Sequence, residues 1–177
     1  MKRIFALALS VFFVMPVAAQ MAVTTLGETD AADCYQNAND SLTSDTSPCD
    51  RALKDPQTTR TDRLKTLVNR GVIYNRNGAV QSALDDFNAA LEIDDQAAEA
   101  YLNRGNSLFL KGHLDDALGD YERSLELEVK EPWAAWYNIG LVHDVRENKE
   151  EARKAYEMAL ALNPDFLLAQ QKLEGRS

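Results

Sequence analysis

Gly71, Gly105 and Gly140 stand 34 and then 35 residues apart, and each opens the same order of residue types. Twelve residues after each glycine comes an alanine: Ala83, Ala117 or Ala152. Four further on stands an aromatic ring, Phe87, Tyr121 or Tyr156, and three beyond it a small residue, Ala90, Ser124 or Ala159. The glycines are also approached alike, by Leu67-Val68-Asn69-Arg70, Tyr101-Leu102-Asn103-Arg104 and Trp136-Tyr137-Asn138-Ile139. A chain that repeats itself at this period folds as a stack of like units, each burying its apolar face against the next.

Each unit reads as two helices. Apolar residues recur at three- and four-residue spacing from Leu64 to Tyr74 and again from Ala79 to Ile93. Gly78 and Gly112 fall between the helices of a pair, where a left-handed residue ends the first one. Pro132 can open a helix, and Pro164 follows one. No run alternates or clusters β-branched residues as a strand would. The repeated steps have a packing reason. Without side chains, the glycines let the first helix lie close to the second, where the alanines sit. The rings then fill the space toward the neighbouring unit.

An aromatic or large apolar residue, glycine, alanine, aromatic, small residue and closing proline, in that order, resemble the tetratricopeptide repeat. The third unit fits best, with Trp136, Gly140, Ala152, Tyr156, Ala159 and Pro164; the first has Asp95 in place of the proline. The second carries one extra linker residue, with Pro132 three places late. The resemblance runs from Leu64 to about Phe166. It implies an all-α solenoid of three helix pairs in a right-handed superhelix: repeats 64–97, 98–132 and 133–166 of a domain spanning 62–177. It also implies a final capping helix over 165–174, apolar at Phe166, Leu167, Ala169 and Leu173. In the stretch 20–61, the segments beginning at Cys34 and Cys49 read as two short helices, a degenerate N-terminal cap.

Lys2 and Arg3, the apolar run Ile4 to Met15, and then Pro16, Val17, Ala18 and Ala19 have the layout of a secretory leader over 1–19, cleaved before Gln20. An uncleaved N-terminal anchor is the alternative, although the run is shorter than the roughly 20 residues of a membrane span. After cleavage no membrane insertion is expected, and the exported chain is placed in a bacterial periplasm. Cys34 and Cys49, an even pair in an exported chain, are expected to form one disulfide. Losing Lys2 and Arg3 takes the formal charge from −9 to −11, a surface that repels nucleic acid.

Catalytic chemistry finds little support. His113 falls at a turn and His143 on a first helix, and neither has a nucleophile or paired carboxylate at a recognisable spacing. Asp94-Asp95 and Asp115-Asp116 suit a linker and a helix start. There is no calcium loop and no glycine-rich phosphate loop, so no metal or cofactor is expected. Arg70 and Arg104 stand where the family has leucine, with Asp86 and Asp120 sixteen residues on. The third repeat has Ile139 and Ala155 instead, so both charges are lost together. That joint loss predicts an ion pair between helices; an arginine gripping a ligand carboxylate is the alternative.

The resemblance implies that ligands lie on the concave surface, lined by the first helix of each pair. Its residue-by-residue carry-over makes Leu102, Asn103, Asn106, Phe109, Tyr137, Asn138 and Leu141 the partner-binding residues, with Asn69, Asn103 and Asn138 as a ladder toward a peptide backbone. The basic clamp that chaperone-binding members use for a terminal carboxylate is missing, since Lys65 stands alone. The expected function is a non-enzymatic adaptor for a protein or peptide, including proteins of the cell envelope. Self-assembly into an envelope structure is the second reading, and an enzyme's accessory domain the third.

Overall fold

The computed structural model describes residues 26–175, with side chains from Asp30 onward; the expected leader and its cleavage point lie outside the described residues. Nine helices and no strand are found among them. They are α1 (Leu26–Asn39), α2 (Ser47–Lys54), α3 (Arg60–Arg76), α4 (Val80–Ile93), α5 (Ala98–Leu110), α6 (Leu114–Glu126), α7 (Pro132–Val145), α8 (Lys149–Leu162) and α9 (Leu167–Leu173). Several starts are written locally. The Thr59 hydroxyl accepts from the Asp62 amide at 3.1 Å to cap α3, and Pro48 and Pro132 occupy the first turns of α2 and α7.

Pairs form by antiparallel packing of α3 on α4, α5 on α6 and α7 on α8. The contact that sets their closeness is glycine against ring. A β-carbon on Gly105 would stand 2.7 Å from the Tyr121 ring and 3.3 Å from the Ala117 carbonyl oxygen, so only glycine fits there. Gly71 meets Phe87 and Gly140 meets Tyr156 in the same way. The rings are buried, as are Ala83, Ala117 and Ala152 beside them.

Within each pair the first helix ends on a left-handed residue whose flanking amides bond back to the last turn. Gly78 (φ 76°) and Gly112 (φ 77°) serve the first two pairs. In the third pair Glu147 takes that conformation at φ 60°, with the Asn148 amide still reaching the His143 carbonyl at 2.9 Å. The extra linker residue after the second pair is absorbed by Glu128 at φ 56°. This turns Val129 into the core beside Ala98 and Ala135.

Helix α1 packs on α2 and α3, and the disulfide Cys34–Cys49 joins α1 to α2 with both sulfurs buried. The Arg76 guanidinium donates to the carbonyls of Ala38 (3.0 Å), Asn37 (2.8 Å) and Thr43 (2.8 Å), holding the end of α1 against the repeats. At the other end α9 begins two residues later than the 165–174 reading, because Phe166 stays outside the helix and packs its ring against Trp133 and Tyr137.

Candidate partner-binding face

Helices α3, α5 and α7 touch one another in succession as well as their own partners, so they form the tight inner layer of the stack. Hydrogen bonds cross that layer. Ser107 Oγ donates to Asn75 Oδ1 at 2.9 Å, joining α5 to α3, and Asn138 Nδ2 donates to Asn106 Oδ1 at 2.8 Å, joining α7 to α5. Asn106 Oδ1 also accepts from the Tyr121 hydroxyl at 3.1 Å. The inter-repeat bonds therefore run through Asn75, Ser107, Asn106 and Asn138, the last of which belongs to the row read from sequence as facing a bound peptide. Asn103 turns its amide back to the Glu99 carbonyl at 2.8 Å. Side-chain orientation around a helix, invisible in spacing alone, decides which amide reaches across.

The apolar members of the face are held between core and surface. Leu102 and Phe109 are half-buried against the cluster around Tyr121 and Val142. Tyr137 and Leu141 lie against the cluster of Tyr156, Ala159 and Ala169. The Tyr137 ring stands 5.0 Å from Phe166, edge on, and 5.6 Å from Tyr156. Leu110 and Val145, at the C-terminal ends of α5 and α7, are 60% and 58% exposed, and the sequence reading passed over both. At this end of the face Asp144 is occupied: its Oδ2 accepts from the Tyr156 hydroxyl at 2.6 Å and from Lys172 Nζ at 3.2 Å, which ties α9 to the third repeat. Burial, helped by that bond and the Asp144 charge, holds the Tyr156 phenol protonated well above the ordinary tyrosine range. Burial does the same for Tyr121.

Behind this layer lie the arginines. Arg70 Nε and Nη2 donate to the two Asp86 oxygens at 2.8 and 2.7 Å, and Nη1 donates to Asp50 of α2 at 2.6 Å. Arg104 Nε and Nη2 meet Asp120 at 2.8 Å each, and Nη1 reaches Asn88 of α4 at 2.9 Å. Each guanidinium also lies over a tyrosine ring of its own helix, Tyr74 or Tyr101. Hydrogen bonding to the aspartates holds both guanidiniums above their usual range despite partial burial. With three nitrogens engaged, each arginine links its own pair to the preceding one and has little left for a ligand. Ile139 and Ala155, both buried, fill the corresponding space in the third repeat.

The tetratricopeptide repeat family model matches residues 98–129 and 133–166. Tetratricopeptide repeat protein 36 of Danio rerio is 31% identical over 120 residues, covering 66% of this chain and 63% of that protein. The chain spans between 10% and 63% of the length of the first curated relatives it matches. Among solved structures, MamA superimposes with a TM-score of 0.62 at 26% identity, covering 74% of each chain. The first tetratricopeptide domain of Spaghetti (RPAP3), bound to the HSP90 peptide SRMEEVD, gives a TM-score of 0.59 at 23% identity, covering 64% of this chain and 89% of that one. Residues 98–129 and 133–166 are tetratricopeptide repeats, and the described chain has the all-helical solenoid fold of such proteins.

Proposed function

We propose that this chain is an exported, non-enzymatic adaptor that holds a segment of a partner protein against the inner layer formed by α3, α5 and α7. The observation that carries the reading is the row of half-buried apolar side chains Leu102, Phe109, Tyr137 and Leu141, with the Asn103, Asn106 and Asn138 amides among them. Each of these amides is already pinned by a neighbour, so it loses little freedom when a partner binds. The rings and leucines can give up their remaining exposed area without rearrangement, and anchors of that kind dominate binding energy. A domain of the same fold holds a peptide, which supports this use of the architecture. The basic, apolar and small-residue layout of residues 2–19 supports export, and the disulfide suits an oxidising compartment such as a bacterial periplasm.

The test replaces Phe109 and Leu141 with alanine and leaves Tyr137, which braces Phe166, in place. Loss of partner capture from the exported fraction with a retained melting transition supports the face. Capture that is undiminished in the folded variant rejects it.

A second reading, self-assembly end to end, draws on one observation. Met158 and Leu162 occupy the positions of Ala89 and Ile93, which are half-buried against the following linker and repeat, yet they are 43% and 48% exposed. Leu167 and Leu168 beside them are 65% and 50% exposed. Sedimentation over a range of concentrations separates the readings: a mass that rises with concentration favours assembly, and a constant monomer mass excludes it.

A further inference from the structure

The capping pair α1–α2 keeps the register of a full repeat. In each repeat a glycine of the first helix meets a ring of the second, sixteen residues on. In the capping pair Cys34 meets Cys49, 15 residues on, and the disulfide occupies the place of that contact. The neighbours match. Residues before the ring are buried (Asp86, Asp120, Ala155), and so is Pro48 before Cys49. Residues three after the ring are buried (Ala90, Ser124, Ala159), and so is Ala52. Arg104 reaches Asn88, one residue past Phe87, and Arg70 reaches Asp50, one residue past Cys49. Ile73 packs on the two cysteines as Val142 packs on Tyr121.

This register gives the residue after Cys34 a position. Asn106, which follows Gly105, bonds across the inner layer to Asn138, and Leu141, which follows Gly140, packs with Tyr137 on the third pair; Tyr35 follows Cys34 at the same register position. It is 60% exposed, and it lines a shallow depression with Gln36, Asn39 and Asp40. The three Arg76 bonds and the disulfide fix α1 in place, so the ring is presented on a rigid support. A phenol face beside a carboxylate is the chemistry that receives a cationic side chain, as Arg70 over Tyr74 and Arg104 over Tyr101 do within this chain. The formal charge of −9 points the same way.

We propose that the partner-binding face runs over four helix pairs and that its N-terminal subsite, Tyr35 with Asp40, receives a lysine or arginine of the bound polypeptide segment. This rests on the proposed binding across the inner layer. The α1–α2 pair thus adds a specificity subsite to its role as a lid on the first repeat.

The experiment selects short peptides from a random display library on the intact oxidised protein and measures the selected peptides, fluorescently labelled, by anisotropy. Variants Tyr35→Ala, Asp40→Asn and Leu102→Glu are compared, each with its melting transition recorded. The expected result is enrichment of lysine and arginine in the selected peptides. Binding should weaken about fivefold in Tyr35→Ala and in Asp40→Asn, with the Asp40→Asn loss absent for peptides whose basic residue is replaced by glutamine. Peptides that lose affinity in Leu102→Glu but bind Tyr35→Ala and Asp40→Asn as they bind the parent overturn the subsite and leave the inner-layer reading standing. Peptides indifferent to all three variants, or an absence of binding peptides, overturn both.

Discussion

Arg70 sets two guanidinium nitrogens against both carboxylate oxygens of Asp86, at 2.8 and 2.7 Å, with the aspartate side chain 8% exposed. The pair joins α3 to α4, and the third nitrogen, on Asp50, joins them to the disulfide-linked pair. Such a pair is weak evidence of net stabilisation, because desolvation offsets much of the attraction, yet removing one partner strands the other. Arg70→Leu is therefore expected to destabilise by about 2–4 kcal/mol in urea unfolding. Arg70→Leu with Asp86→Ala should lose much less, since the third repeat is built on Ile139 and Ala155. A double-mutant cycle with coupling under about 0.5 kcal/mol would refute the linkage.

The buried disulfide closes a loop of 15 residues in a pair with little core of its own. Chain entropy assigns a loop of that size roughly 3 kcal/mol. The variant Cys34→Ala with Cys49→Ala should fall in stability by about that amount. In the parent protein, native conditions should leave no thiol reactive to an alkylating reagent. Labelling without prior reduction contradicts the disulfide.

Glu147 holds φ 60° where the first two pairs use Gly78 and Gly112. A side chain in the left-handed region costs about 1–2 kcal/mol, part of which glycine gives back through its freer unfolded chain. Glu147→Gly should raise stability by about 0.5–1 kcal/mol, while Gly112→Ala should lower it by about 1 kcal/mol. Thermal unfolding of both variants decides this. A destabilised Glu147→Gly would mean that the glutamate makes a contribution beyond its backbone conformation.

Tyr121 and Tyr156 keep their protons in the folded state beyond the pH at which an exposed tyrosine ionises, near 10, chiefly because they are buried. Above that pH the unfolded chain binds fewer protons than the folded one, so stability falls as pH rises. Their contribution is fully present below about pH 10. Unfolding followed from pH 8 to 11 should show a flat profile and then a decline, and Tyr121→Phe with Tyr156→Phe should flatten the decline. An equal fall in the double variant would assign it to other groups.

Much of this molecule is legible without coordinates, and the part that is legible has a common cause. Gly71 and Phe87, Gly105 and Tyr121, Arg70 and Asp86, and Arg104 and Asp120 all meet across a single short helix–helix turn. Antiparallel packing at fixed helix lengths converts a constant separation along the chain into a contact in space, so residue types recurring at that separation declare the pair, its turn and its core. The two cysteines declare their bond by another route, as an even pair in a chain with an export leader's layout.

Contacts between pairs are different. Which amide bridges α5 and α7, that Arg104 finds Asn88, and that Val129 turns inward at the extra linker residue all depend on the rotation of one pair relative to the next. That rotation comes from side-chain volumes packed along the whole interface, including Val129, Ile73 and Val142, and no single spacing encodes it. Composition, period and spacing by themselves determined the helices and how they pair. Only the tertiary structure decided how the pairs are linked and which side chains the inner surface offers, because those follow from small rotations summed from many contacts.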